Sequence, residues 1–258
     1  MLLFDTDKNL KILIDADMIV FRSCAACETP IDWDCDLTTL HCEHAEAEKL
    51  VDDTVISIVD KVLDHYKYAG EYEILMCFSD KENFRKHILP SYKANRVGKR
   101  KPLGYSKVVE WVKDNFTCYQ KPTLEADDCI GILATLNPNS SIIVSGDKDF
   151  KSIPGCFYNF LSDNYYEISE EEADYNHLFQ TLIGDTADNY KGCPGIGAVT
   201  AKKILDADPT WEALVAQFVK KKLTESDALL QARVARILRK SDYDFKTHKP
   251  ILWTPKSN

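Results

Sequence analysis

Leu10-Lys11-Ile12-Leu13-Ile14-Asp15 is a short apolar run that closes on an acid. A run of this length reads as a buried strand, and open α/β sheets place their sites at the carboxyl ends of such strands. The form recurs downstream. Tyr72-Glu73-Ile74-Leu75-Met76-Cys77-Phe78 is followed by Ser79-Asp80, and Ser141-Ile142-Ile143-Val144-Ser145 by Gly146-Asp147-Lys148-Asp149. Thr117 to Gln120 is a shorter strand. Helical stretches lie between: Met18 to Ala26, His44 to Tyr68 with Val51, Val55, Ile58 and Val62 at helical spacing, and Gly104 to Phe116. Alternation as far as about residue 160 predicts an α/β fold with a mostly parallel central sheet and flanking helices.

Beyond Asp163 the periodicity becomes helical. Ser169 and Glu172 form a capping box that opens a helix over 170–183. Gly184-Asp185-Thr186-Ala187-Asp188-Asn189 reads as a turn, and Gly192-Cys193-Pro194-Gly195-Ile196-Gly197-Ala198 leads into a helix over 199–207. Pro-Gly-x-Gly between helices is a tight hairpin whose glycines let backbone N–H groups approach a phosphate. Helices over 211–222 and 224–240 complete the chain, which divides into residues 1–175 and a helical region, 176–258. The connection from Glu28 to about Leu40 receives no assigned structure.

The chain of 258 residues carries a net charge of −9, which by itself argues against a nucleic-acid partner. Its distribution reverses that argument. Residues 1–80 and 102–190 are net −12 and −10, whereas residues 81–101 and 191–258 are net +7 and +6. Within 81–101, basic residues are mixed with Phe84 and Tyr92, a composition that suits tracking phosphates and stacking bases. No apolar run is long enough to span a bilayer, and Met1 to Lys11 lacks an apolar signal core, so a cytoplasmic location is expected. Nine cysteines, an odd number, fit reduced thiols there.

The acids carry the chemistry. Asp15, Asp80, Asp147, Asp149, Asp185 and Asp188 stand at strand ends or turns, and Leu124-Glu125-Ala126-Asp127-Asp128 opens a further helix. Carboxylates brought together repel each other unless cations neutralise them. Oxygen-only ligands select Mg²⁺ or Mn²⁺, and a pair of ions about 4 Å apart suits an in-line phosphoryl displacement. Glu125 and Asp127 would point in nearly opposite directions within a regular helix, so sharing a site requires Glu125 at or before the first turn.

Three other readings compete with this one. Cys24-Ala25-Ala26-Cys27 with Cys35, Cys42, His41 and His44 invites zinc, but the first pair lies in a predicted helix rather than a knuckle turn. Asp15-Ala16-Asp17 with Gly184-Asp185 resembles haloacid-dehalogenase-type phosphatases, yet Gly184-Asp185 follows a helix and that reading leaves Glu125 to Asp128 without a task. A non-catalytic DNA-binding module leaves the acids repelling the backbone it should hold.

Taken in order, these motifs resemble the 5′-nuclease (flap endonuclease) superfamily, in particular the 5′→3′ exonucleases of T-odd bacteriophages and the 5′-nuclease domain of bacterial DNA polymerase I. The most specific parts are Ile14-Asp15, Asp80 to Arg96 with Tyr92-Lys93-Ala94-Asn95-Arg96, Glu125 to Asp128, Gly146 to Asp149, and Gly184 to Gly197. The resemblance implies a PIN-like 5′-nuclease fold with a C-terminal helix-hairpin-helix at 184–207 and a basic arch at 81–101. It implies that Asp80, Glu125 and Asp127 bind one metal with Asp15 in support, and that Asp147, Asp149 and Asp188 bind a second, with Asp128 and Asp185 as outer or bridging acids. Lys93 and Arg96 would contact the scissile phosphate with help from Arg22, and Tyr92 would stack on a base. Lys99, Arg100, Lys101, Gly195, Gly197, Lys202 and Lys203 would contact DNA, with K⁺ at the hairpin carbonyls. The implied activity is metal-dependent 5′→3′ hydrolysis by a monomer at duplex ends, nicks, flaps and RNA–DNA hybrids, in the host cytoplasm if the chain is phage-encoded.

Overall fold

A computed structural model describes Phe4, residues 9–33 and residues 36–255. β1 (Leu10–Asp15) runs into α1 (Ala16–Ala26), and an antiparallel hairpin of β2 (Glu28–Trp33) and β3 (Leu37–Cys42) follows. After α2 (His44–Tyr66) and β4 (Tyr72–Cys77), the basic connection holds α3 (Arg85–Ile88) and a 3₁₀ turn (Ala94–Arg96). Next come α4 (Tyr105–Asn115), β5 (Cys118–Tyr119), α5 (Ala126–Leu136) and β6 (Ser141–Ser145). A second 3₁₀ turn (Lys148–Ser152) precedes β7 (Gly155–Asn159) and β8 (Asn164–Ile168). The C-terminal helices are α6 (Glu170–Ile183), α7 (Ala198–Ala207), α8 (Trp211–Lys220) and α9 (Glu225–Ala235), followed by the short pair β9 (Tyr243–Asp244) and β10 (Lys249–Pro250).

The main sheet has the order β5-β4-β1-β6-β7-β8, parallel except for β8. β1 lies between β4 and β6, with Leu13 in register with Leu75 and Ile143. Successive side chains of a strand face opposite sides, and a parallel sheet is covered on both. Ile12 and Ile14 therefore pack with Val20, Val55, Val62 and Val108 from α1, α2 and α4, while Leu13 packs with Ile130 and Leu133 of α5. The chain leaves β1 for β4 on one side and later returns to β6 on the other. The crevice at the carboxyl end of β1 is thus the topological switch point of the sheet, where such folds bind ligands. Asp15 is the last residue of β1 and caps α1, accepting from Met18 N–H at 3.1 Å.

A separate core joins the C-terminal helices through Leu182, Leu205, Leu214 and Phe218. The expected division at 175/176 falls inside α6, which packs against both the Lys148–Ser152 turn and α9. Gly184 (φ +69°) and Gly192 (φ +61°) lie back to back in the hairpin between α6 and α7, and a Cβ on Gly192 would sit 2.4 Å from Gly184 N. Only glycine has both the left-handed backbone and the missing side chain that this approach requires.

Four features differ from the sequence-based expectation. The unassigned connection after Glu28 is the β2–β3 hairpin, whose Thr29-Pro30-Ile31 start obscured a strand because proline is disfavoured in sheets. β7 and β8 extend the sheet where none was expected, joined by a turn with Asp163 at φ +54°. The helix expected over 224–240 ends at Ala235, because Leu238 N–H and Lys240 N–H donate to Asp128 and Thr135 of α5 instead of continuing a helical ladder. The basic connection forms two short turns. Among the described residues no helix is long and apolar enough to cross a membrane.

Candidate metal centre and nucleic-acid interface

Acids from five chain elements gather at the carboxyl end of the sheet. Asp15 ends β1 and accepts from Ser145 Oγ at 2.9 Å. Asp147 opens the turn after β6 and accepts from Asp149 N–H at 2.9 Å. Asp80, after β4, accepts from Thr123 N–H at 2.8 Å. Glu125 is the residue before α5, with extended backbone (φ −81°, ψ 163°), so it and Asp127 need not diverge as they would inside a helix. Asp185 and Asp188 occupy the turn after α6, where Asp185 accepts from the N–H groups of Ala187 and Asp188.

The electrostatics show how closely these groups crowd. Burial raises Asp127 well above the usual carboxylate range, and the neighbouring Asp15, Asp147 and Glu125 charges add to it. Asp15 is raised by burial and by Asp17 and Asp147. Burial, then Asp188 and Asp185, raise Asp147, and burial with Asp147 pushes Asp149 up to about 7. Glu125 goes the other way. Burial opposes its ionisation, but Lys93 and Arg85 outweigh that and hold it at about 2.

The basic connection supplies those cations. Lys93, in left-handed backbone at φ +54°, pairs with Glu125 and lies 3.4 Å from Asp188. Arg96 reaches the other oxygen of Asp188 at 2.5 Å. Asn95 donates to the carbonyls of Thr186 and Ala187, and Lys93 N–H to that of Asp188, so this segment lies along the Asp185–Asp188 turn. Lys93 thus stands between acids from two different elements, and Arg96 covers the second of them. Among the described residues no three His, Cys, Asp or Glu side chains converge on one point as ligands of a single ion. The donor set is nevertheless all oxygen, half-buried and mutually repelling, which is the chemistry that hard divalent cations relieve.

Several expected site residues are placed elsewhere. Tyr92 is not a stacking platform: it is 3% exposed, packs with Tyr190 and Val234, and its hydroxyl lies 2.8 Å from Glu125 and 2.9 Å from Asp188. Asp128 is not turned toward the other acids. It is fully buried, and both its oxygens accept from the Arg85 guanidinium at 2.7 Å. Arg22 is exposed on α1. Arg100 pairs with Glu28 of the β2–β3 hairpin, Lys101 lies 3.9 Å over the Tyr105 ring, and Lys202 pairs with Asp206 at 2.7 Å. Lys99 and Lys203 are exposed, Gly195 has φ +75° beside Lys221, and Gly197 precedes α7. Of the thiols considered for zinc, Cys24, Cys27 and Cys42 are free and Cys35 lies outside the described residues.

The sequence also concealed two functions within its acid pairs and its basic run. Asp17, paired with Asp15 in sequence, accepts from Ser79 N–H and Tyr105 OH, both at 2.8 Å, and so joins α1 to β4 and α4. Arg85, one of the bases of the 81–101 segment, is 3% exposed. Nothing in the local sequence separates it from Lys86 or Lys93.

Residues 11–174 match the family described as 5′-3′ exonuclease, N-terminal resolvase-like domain. The chain is 32% identical to the exodeoxyribonuclease of Enterobacteria phage T3 over 291 residues, which cover 97% of this chain and 94% of that protein. It is likewise 32% identical to the exonuclease of Escherichia phage T7 over 290 residues, covering 96% and 94%. Its fold is similar to that of a T5 5′-exonuclease solved with bound divalent metal ions (zinc), at a TM-score of 0.63 and 17% identity, covering 88% of this chain and 89% of that one. The bacteriophage T5 flap endonuclease, solved in a pseudo-enzyme–product complex with DNA and metal ions, gives the same TM-score, identity and coverage.

Proposed function

The chain belongs to the 5′-3′ exonuclease family and is a hydrolytic nuclease, and on that premise we propose that it removes nucleotides from the 5′ ends of duplex DNA, at nicks and flaps and from RNA–DNA hybrids, through two divalent ions. The observation that carries this reading is the gathering of Asp15, Asp80, Glu125, Asp127, Asp147, Asp149 and Asp188 at the switch point of the sheet, faced by Lys93 and Arg96. Asp80, Glu125 and Asp127 with Asp15 would hold one Mg²⁺ or Mn²⁺, and Asp147, Asp149 and Asp188 the other, with Asp185 fixing the turn that carries Asp188. Bound there, the ions would make water a better nucleophile and offset the charge growing on the leaving oxygen, giving a 5′-phosphate and a 3′-hydroxyl.

The chain's own residues do the rest. Lys93 and Arg96 offer cations to a phosphate entering beside Glu125 and Asp188, and partial burial strengthens the contact from Lys93. Tyr92 holds those two acids from behind, its single phenolic proton serving one of them at a time. The Gly192–Gly197 hairpin and α7 present backbone N–H groups and Lys203 to the duplex backbone, with K⁺ at the hairpin carbonyls, and residues 176–258 serve as the duplex-holding region. The working form is a monomer in the host cytoplasm. Replacing Asp147 by Ala tests the assignment. Cleavage of a 5′-labelled duplex in Mg²⁺ should fall below detection while duplex binding in Ca²⁺ persists, and a variant that still releases 5′-end products refutes it.

A further inference from the structure

Arg85 sits at the meeting of three segments remote in sequence. Its guanidinium offers five N–H bonds, and each finds an acceptor. Nε donates to the carbonyl of Val234 at 3.0 Å, Nη2 to that of Arg236 at 2.5 Å and to Asp128 at 2.7 Å, and Nη1 to Asp128 at 2.7 Å and Glu125 at 3.2 Å. Asp128 is saturated in turn, since its two oxygens also accept from Glu125 N–H and Leu238 N–H, both at 3.1 Å. The pair therefore joins the start of the basic connection, the first turn of α5 and the segment that follows α9. A buried ion pair is weak evidence of net stability, because desolvation offsets the attraction. What this one achieves is orientation.

We propose that Arg85 is a positioning residue for the metal centre: Nη1 is shared between Asp128 and Glu125, so the guanidinium fixes the direction of the Glu125 carboxylate and ties it to the C-terminal helical region. The proposal rests on the reading of Glu125 as a metal ligand. Glu125 Oε2 is held by Arg85 and Tyr92, which leaves Oε1, now facing Lys93, as the oxygen presented to the centre. Lysine cannot reproduce this arrangement, because a point charge with three donors cannot span a carboxylate, a second acid and two carbonyls in one plane. Outer partners that orient a ligand are commonly worth 10–100-fold in metal affinity.

The test is Mn²⁺ binding, read by loss of the free-ion electron paramagnetic resonance signal, on Arg85→Lys and Asp128→Asn. Phe218→Ala, in the C-terminal core, serves as a control that loses stability far from Glu125. All are assayed below their melting temperatures. The concentration of Mn²⁺ for half-saturation should rise on the order of 10–100-fold in Arg85→Lys and Asp128→Asn and stay at the wild-type value in Phe218→Ala. Wild-type Mn²⁺ affinity in folded Arg85→Lys overturns the proposal, and if that variant does not fold, wild-type affinity in Asp128→Asn overturns it. A wild-type chain that binds no Mn²⁺ at all overturns the metal reading itself, and this proposal with it.

Discussion

Asp149→Asn should stabilise the protein in chelator and destabilise it, relative to wild type, in Mg²⁺. Burial and the Asp147 charge raise Asp149 from 3.8 to about 7. Above pH 7 its ionised form is therefore held in the fold at a cost, and the gap of about three pH units sets a ceiling of about 4 kcal/mol. The group is half-buried rather than sealed, and solvent screening brings the expected gain to about 1–3 kcal/mol. Asparagine keeps the oxygen that accepts from Gln180 and leaves the backbone N–H that donates to Asp147 untouched. At roughly 2–4 °C per kcal/mol for a chain of this size, the melting temperature in EDTA at pH 8 should rise by roughly 2–12 °C. The sign of the pH dependence follows from the raised value. The folded state holds the proton more tightly than the unfolded chain, so the penalty in wild type shrinks as pH falls through 7 and vanishes below 3.8, and the advantage of the variant should shrink with it. Mg²⁺ at about a thousand times its dissociation constant should add about 4.1 kcal/mol to wild type and much less to the variant, reversing the order. Differential scanning calorimetry at pH 8 and pH 5, with EDTA and with Mg²⁺, measures all four cases. A variant that melts below wild type in EDTA at pH 8 refutes the view that these acids are held together against their own repulsion.

Gly192→Ala should melt roughly 5–15 °C lower, because a methyl group there meets Gly184 N at 2.4 Å and the Leu182 carbonyl at 2.5 Å in left-handed backbone, a strain on the order of 2–5 kcal/mol; an unchanged melting curve would show that the hairpin opens without cost. His177 is 2% exposed and lies 2.9 Å from the Ala232 carbonyl, and burial, helped by Arg236, pushes it down to about 3. It stays neutral in the fold while the unfolded chain gains a proton below about 6.5, so urea denaturation should show wild type losing about 2 kcal/mol more than His177→Gln between pH 7 and pH 5, and equal losses would count against a buried neutral imidazole.

Much of the fold was legible because it rests on local regularities. Apolar runs ending in acids gave β1, β4 and β6, and helical periodicity gave α2 and α4 to within two residues. What escaped depends on distant partners. β7 and β8 pair with the sheet through Phe157, Tyr158, Tyr165 and Tyr166, residues that periodicity alone does not separate from a turn-rich connection. The end of α9 is decided by hydrogen bonds to Asp128 and Thr135, more than a hundred residues away. At the site, the sequence pointed to a set of acids but not to their division of labour. Asp15 and Asp17 are two residues apart, and Asp127 and Asp128 are adjacent, yet the members of each pair do opposite things.

For Asp127 and Asp128 the difference lies in how far each carboxylate is satisfied by fixed donors. Asp15, like Asp17, accepts two hydrogen bonds, from Met18 N–H and Ser145 Oγ, but it is buried beside Asp147. Asp17 receives two strong hydrogen bonds and Asp128 receives four, two of them from a guanidinium. Four donors fill both oxygens of Asp128, which therefore holds other elements in place, and the two donors to Asp17 join α1 to β4 and α4. Asp127, Asp147 and Asp149 face other acids and are raised by burial and repulsion. Such groups destabilise the fold, and on the proposed metal reading a bound cation would recover that energy. Clusters of this kind mark functional sites more reliably than a count of acids does. The same criterion divides the basic run. Arg85 has every donor engaged by fixed protein groups, whereas Lys93 and Arg96 engage carboxylates that a divalent ion would compete for. On the proposed reading, their side chains would exchange an acid for a phosphate when substrate enters, and Arg85 would hold its place as they do.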